Sequence, residues 1–378
     1  MHFWLIFIAV LGLVSAASCY CCSYIFPSSV YPYVRGGIIL VNLSFFPLLL
    51  FLGDRKDFFF ASPLLTGVSI VFTAEVILLA LVGAALLLRR LWHLMNPPIF
   101  DSERRELLSK AFLYPAASLA LAAYGSGVER KSVVVRNFDI PVEGNFAPFK
   151  IAQISDVHLG LFFDLNDLRE LMDKTLEEKP DVLAITGDLF DNAAMNREAA
   201  EIIDEYADKF PYGIYFCWGN HEYYRNIKKT REYLEKSRIK LLENNAVIVR
   251  DGERPLYFAG ADYPMERLRF DELRDEYADM ALKDIPAEAA TVLLAHHPEF
   301  IDNAAAKNVL LTLTGHTHGC QIGILGQPIF PVFKYNRGLV RHGNSYGYVH
   351  CGNGSWFPVR IGCPPEIACF TLAGKVNK

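Results

Sequence analysis

Five short polar clusters, each directly after an apolar run, hold the residue types that could do chemistry in this chain. They are Ser155-Asp156-Val157-His158, Gly187-Asp188-Leu189-Phe190-Asp191, Gly219-Asn220-His221-Glu222, His296-His297-Pro298 and Gly315-His316-Thr317-His318-Gly319. Together they offer carboxylates, imidazoles and an amide carbonyl, with no thiolate. Such a mixed nitrogen and oxygen set suits Mn2+, Fe or Zn2+ in a reactive site better than a structural zinc. At an extended strand end, residues i and i+2 point to one side, so Asp156 and His158 are expected to reach one ion; the same holds for His316 with His318, unless the flanking glycines let those two diverge toward different ions. Glycines ahead of Asp188, Asn220 and His316 are expected to permit tight turns there. Any single cluster would be unremarkable, since an isolated histidine is usually a packed or surface residue. Five in this order are not.

The runs ahead of these clusters must position them. Ile151–Ile154, Val182–Thr186, Ile214–Trp218, Leu256–Gly260, Val292–Ala295 and Val309–Thr314 read as buried strands bounded by turn residues. Asp167–Glu178, Arg197–Ala207 and Lys229–Ser237 have helical spacing, with Asp164 or Asn166 as cap of the first. Strands alternating with helices predict a layered α/β domain whose functional groups collect beyond the strand C-termini.

The order D-x-H, GD, GNHE, H and GHxH resembles the calcineurin-like metallophosphoesterase superfamily. The run GHTHGCQ, Arg337-Gly338 and the stretch Arg360–Glu366 (RIGCPPE) are similar to its bacterial membrane-associated or secreted branch, over roughly Phe149–Phe370. The resemblance implies an α-β-β-α sandwich and two divalent metal ions, Mn2+ first, with Fe or Zn2+ as alternatives. It implies that Asp156, His158 and His318 hold one ion, that Asn220, His296 and His316 hold the other, and that Asp188 bridges them. His296 is preferred over His297 because the family pattern is a His, one variable residue, then Pro. His221 would be catalytic, beside the substrate and off the metal. Asp191 would support Asp188 or the metal waters, Glu222 would orient His221 or act as a cap, and Arg360 would meet a phosphate or form a structural ion pair. One departure stands out: the usual GHTHGG reads Gly319-Cys320, which is either a tolerated small residue or a thiol that interferes with the metals.

The implied activity is metal-dependent hydrolysis of a phosphodiester or pyrophosphate bond, with paired cations making water acidic enough to attack near neutral pH. Two alternatives remain: hydrolysis of a nucleotide-linked sugar lipid of the UDP-diacylglucosamine type on the cytoplasmic face, or a non-catalytic metal-binding scaffold. Missing ligands would mark a scaffold, and no ligand position is missing.

The rest of the chain bears on location. Of 378 residues 52% are hydrophobic, and the excess lies in the first third. The expected organisation is a membrane region over 1–127 with three or four transmembrane helices, a linker and first strand over 128–148, and a catalytic domain over 149–378. The apolar runs are His2–Ala17 extended to Ile25, Gly36–Gly53, Pro63–Leu88 and the shorter Ala111–Gly127 with Pro115. No Lys or Arg precedes the first run, which favours an uncleaved helix over a signal peptide. Arg89, Arg90, Arg104, Arg105 and Lys110 outnumber Arg55 and Lys56, so the loop after the third run is the cytoplasmic candidate. A crossing fourth run would then put the catalytic domain on the extracytoplasmic face. Glu75, inside the third run, is expected to face other helices, in a hydrogen-bonded structural role or against a lipid head group or partner. Tethering favours a phosphorylated small-molecule or lipid substrate at the membrane. A net charge of −5 without a basic stripe argues against nucleic acid, and no obligate protein partner is expected.

Overall fold

The computed structural model describes residues 2–52, 61–95, 113–324, 326–329, 331–355 and 357–374. It divides into a unit of Met1–Glu129 with Phe357–Ile361, and a unit of Arg130–Trp356 with Gly362–Lys378.

The second unit is built on two six-stranded sheets. The first runs in the order β1 (Val134–Val142), β14 (Glu366–Gly374), β2 (Phe149–Ile154), β3 (Val182–Thr186), β4 (Ile214–Cys217) and β5 (Ile239–Leu241). The second runs β12 (Gly338–His342), β13 (Ser345–Val349), β9 (Leu311–Thr314), β8 (Ala290–Leu294), β7 (Leu256–Gly260) and β6 (Asn245–Arg250). A small hairpin, β10 (Gly323–Ile324) with β11 (Gln327–Pro328), stands apart.

The period-two alternation of strand side chains sorts the apolar residues into three layers. Leu183, Ile185, Ile214 and Phe216 face helices 165–177, 196–205 and 227–235, within a cluster that also takes in Leu171, Ile203 and Leu234. Val182, Ala184, Tyr215 and Cys217 face the other way and meet Phe258, Val292, Leu294 and Leu313 between the sheets. Ala259, Leu293 and Ala295 point outward against Ala278, Phe300 and Ala304 of helices 270–282 and 300–306. The result is the expected α-β-β-α sandwich. Each fully buried Leu, Ile or Phe contributes about 1.5–3 kcal/mol. Helix 165–177 begins in a capping box: the Asp164 carboxylate accepts from the N–H groups of Asn166 and Asp167, and Asp167 accepts from Asp164 N. All six strands expected from the sequence are present, with ends moved by up to two residues.

The first unit holds helices His2–Ile25, Tyr31–Leu52, Ala61–Met95 and Leu113–Gly127. Two described helices, through Ile8–Ile25 and Ala61–Trp92, are long and apolar enough to cross a membrane. Helix 31–52 contains Pro47, and helix 113–127 has 15 residues, fewer than the roughly 20 a perpendicular span needs. Glu75 is buried, and Asn42 Nδ2 donates to both its oxygens at 3.1 and 2.9 Å, the structural role a costly buried carboxylate requires. Arg55, Lys56, Arg104, Arg105 and Lys110, on which the loop-charge argument rests, lie outside the described residues.

Candidate active site

The polar clusters leave the C-terminal ends of β2, β3, β4, β8 and β9 and converge. They do not converge through extended strand ends. Asp156, His158, Asp188, His316 and His318 all have positive φ, between 48° and 72°, so the i, i+2 argument for Asp156 with His158 and for His316 with His318 fails in its mechanism. Left-handed turns bring Asp156 and His158 together instead, and they send His316 and His318 to different groups. Such a conformation is sparsely populated for residues with a Cβ and costs of order 1–3 kcal/mol each. It persists here because backbone bonds determine it: Asp156 N donates to Gly187 O at 3.1 Å and His158 N to Asp188 O at 2.9 Å.

One group gathers Asp156, His158 and His318, whose ligand atoms lie within 4.8 Å of one another. The Nε2 atoms of His158 and His318 face each other at 2.9 Å, and His318 Nε2 is 3.6 Å from Asp156 Oδ1. Asp156 is fixed by Ser155 Oγ, which donates to Oδ2 at 2.6 Å, and by the backbone N–H of His316 at 2.9 Å. A second group gathers Asp188, His296 and His316, again within 4.8 Å. His296 Nδ1 faces Thr186 O at 2.7 Å, which fixes the proton there and turns Nε2 toward Asp188 Oδ2, 3.1 Å away. Asp188 Oδ2 is also 3.7 Å from His158 Nε2, so this carboxylate stands between the two groups. Its other oxygen accepts from His221 N at 2.8 Å.

Close approach explains two of the glycines better than turn geometry does. A Cβ on Gly219 would fall 2.1 Å from Asp188 Oδ1, and one on Gly315 would fall 2.3 Å from Asp156 Oδ2.

The charges follow from this packing. Burial pushes Asp188 up, but His296, His221 and His158 outweigh it and hold the carboxyl well below its usual range. Burial pulls His296 down, yet Asp188 and Asp156 raise it to about 10. His316 is driven well down, first by burial and then by the neighbouring imidazoles of His296 and His297.

The remaining residues singled out by sequence divide cleanly. His221 Nδ1 pairs with Asp191 Oδ2 at 3.0 Å, and burial is outweighed by Asp191 and Asp188, which lift it to about 9. The same Asp191 oxygen holds His158 Nδ1 at 3.0 Å, while Arg225 Nε binds the other at 3.1 Å. Asp191 therefore orients two imidazoles, and the expected support of Asp188 falls to Glu222. Glu222 is fully buried and accepts from the N–H groups of Asp188, Leu189, Phe190 and Gly219 at 2.8–3.0 Å, a capping role that excludes orienting His221. His297 packs its ring against Phe270 and Phe333, at 4.6 and 5.6 Å, and burial and His296 lower it to about 3. Cys320 Sγ donates to Asn336 Oδ1 at 3.3 Å. Arg360 is fully buried, and its backbone N–H donates to Gly125 O at 3.2 Å.

Residues 149–320 match the family of calcineurin-like phosphoesterases. An uncharacterized metallophosphoesterase of Aquifex aeolicus is 33% identical over 234 residues, which cover 60% of this chain and 86% of that protein. The chain belongs to the calcineurin-like metallophosphoesterases. Phosphodiesterase YaeI of Escherichia coli is 29% identical over 240 residues, covering 60% of this metallophosphoesterase and 83% of YaeI. A zebrafish transmembrane protein with metallophosphoesterase domain is 30% identical over 264 residues, covering 67% and 60%. Membership makes this chain a metal-dependent phosphoesterase of a family that binds a dinuclear divalent site.

The residues of this metallophosphoesterase fit such a pair of ions. Asn220 Oδ1 is buried without a hydrogen-bond partner, and His296 Nε2 lies by Asp188 without the alignment of a hydrogen bond. Among the described residues neither Asp156 nor Asp188 has a Lys or Arg ion-pair partner, and buried carboxylates demand compensating charge.

Sequence reasoning passed over Tyr263 and Asn353. Tyr263 follows β7, the one strand end left unused, and its ring lies 5.7 Å from that of His316. Asn353 Oδ1 accepts from Ser155 N at 2.9 Å and so steadies the Asp156 turn, a contact 198 residues away along the chain that no local pattern announces.

Proposed function

We propose that this metallophosphoesterase is a membrane-anchored hydrolase of a phosphodiester or pyrophosphate bond in a lipid- or envelope-associated substrate. Asp156, His158 and His318 would hold one divalent ion, Asn220, His296 and His316 a second, and Asp188 both, with Mn2+ the preferred metal and Fe or Zn2+ the alternatives. The observation that carries the reading is the Asp188 carboxylate between two histidine-bearing groups, 3.7 Å from His158 Nε2 and 3.1 Å from His296 Nε2. When bound, the ions would supply Lewis-acid charge against the phosphoryl oxygens and make water acidic enough to attack near neutral pH.

The chain's own residues would do the rest. Asp191 ties down His221 Nδ1, leaving Nε2 to hydrogen-bond the substrate and hand a proton to the leaving oxygen, a step worth about 10²–10⁴-fold. Glu222 keeps the backbone of the Asp188 turn against Gly219, so the carboxylate and Asn220 hold their separation.

The proposed layout is a membrane region over 1–127, a connecting stretch and first strand over 128–148, and a catalytic domain over 149–378. The two membrane-length apolar helices support anchoring, and the catalytic domain is proposed to face the extracytoplasmic side. Hydrolysis of bis(p-nitrophenyl) phosphate by the full chain with Mn2+, and its loss with chelator, tests the activity; Mn2+ bound without hydrolysis would point to a scaffold. A reporter fused after Lys378 tests orientation. A cytoplasmic signal would redirect the substrate to a nucleotide-linked lipid.

A further inference from the structure

Exposed aliphatic side chains are unevenly spread over the catalytic unit. Nine large hydrophobics among its described residues are exposed, and five of them (Met265, Leu268, Ile324, Ile329 and Val332) fall in two stretches. Leu268 is 101% exposed and Val332 76%. Both stretches are rooted at the candidate site. The Tyr263 ring lies 5.7 Å from the His316 ring and 5.9 Å from that of His296, and the Phe333 ring lies 5.2 Å from His316. Aromatic rings thus flank the imidazole, and four of the five exposed side chains, all but Ile324, lie within five residues of one ring or the other. Arg267 and Lys334, both exposed, stand beside Leu268 and Phe333.

Clustered aliphatics in water mark a surface made to be covered. Protein interfaces concentrate Tyr, Trp and Arg at their energetic centres and under-use Leu and Val there. Surfaces that enter a bilayer present aliphatic tips and basic residues to it; here exposed Arg267 supplies a cation, while Lys334 pairs with Asp302 at 2.8 Å and Glu266 with Arg269 at 3.5 Å. The same polypeptide also carries two helices long enough to cross a membrane, so a bilayer is the partner always at hand.

We propose that Met265, Leu268, Ile329 and Val332 form an interfacial surface that seats on a lipid bilayer at the mouth of the site, so that the phosphorylated head group of a membrane lipid enters past Tyr263 and Phe333. The surface rests on the membrane-anchoring part of the reading above, and head-group entry on its phosphoesterase part.

The test uses the full chain reconstituted into phosphatidylcholine–phosphatidylglycerol vesicles with brominated acyl chains. Tryptophan is introduced by Leu268→Trp or Val332→Trp, with Ile248→Trp, exposed on β6, as control. The expected result is about twice the fractional bromolipid quenching at 268 and 332 as at 248, because interfacial side chains reach roughly 5–10 Å into the head-group and acyl boundary. Equal quenching at all three positions overturns the surface. Protection of 268 and 332 from aqueous iodide without bromolipid quenching also overturns it, since another protein surface would then cover them. Hydrolysis of bis(p-nitrophenyl) phosphate by the unsubstituted chain separates the two readings: quenching without hydrolysis upholds the surface and overturns the phosphoesterase reading. A chain that does not enter vesicles overturns anchoring and surface together.

Discussion

The two ligand groups match in their inner residues and differ in what stands behind them. Asp156, His158 and His318 are backed by a carboxylate, for His158 Nδ1 meets Asp191 at 3.0 Å. Asp188, His296 and His316 are backed by a backbone carbonyl, Thr186 O, and by the rings of Tyr263 and Phe333. A carboxylate raises ligand basicity and ties the metal side to His221, which shares the same Asp191 oxygen. A carbonyl fixes the tautomer without adding charge. Under the proposed function the polar side would move a proton and the aromatic side would receive the apolar part of a substrate.

The sharpest way to break this comparison is Asp188→Ala, since that carboxylate belongs to both groups; hydrolysis should fall to background and bound metal below two ions per chain, read by elemental analysis. Next comes His221→Ala, which should keep its metal while turnover falls about 10²–10⁴-fold. Unchanged turnover would remove His221 from the chemistry. Asp191→Asn should cost about 10–100-fold in metal affinity or activity, and metal titration should show the loss on one ion only. An equal loss on both would erase the difference between the two sides. Arg225→Ala should matter least through Asp191: that ion pair is 40% exposed on the Arg side, so its loss should cost about 1 kcal/mol, or roughly fivefold in activity.

Much of this centre was legible because its residues are short-range signals. A carboxylate, imidazole or amide just past an apolar run lands at a strand C-terminus whatever the fold's details; Gly219 and Gly315 marked the site as well, though through close approach and not the tight turns expected of them. The backbone at those positions was not legible. Asp and His give little local sign of a left-handed φ, and the backbone partners that hold Asp156 and His158 there, Gly187 O and Asp188 O among them, lie on other segments. The role of Asp191 was misplaced for a similar reason: lying three residues from Asp188 says nothing about two imidazoles arriving from other strands. In the fold, the strands between sheets announced themselves as apolar runs. β12, β13 and β14 did not, because their burial depends on partners such as β1, 232 residues away at the Val134–Glu366 pairing. In the first unit the cost of Glu75 was plain, whereas its partner Asn42 required the helix pairing itself.

The central claim is that two ions are shared through Asp188, and Mn2+ binding to the metal-stripped full chain tests it most directly. Two ions per chain are predicted, with hydrolysis of bis(p-nitrophenyl) phosphate returning as the second fills. A folded chain that binds one ion or none at saturation, or that hydrolyses the diester equally well in chelator, would contradict the account.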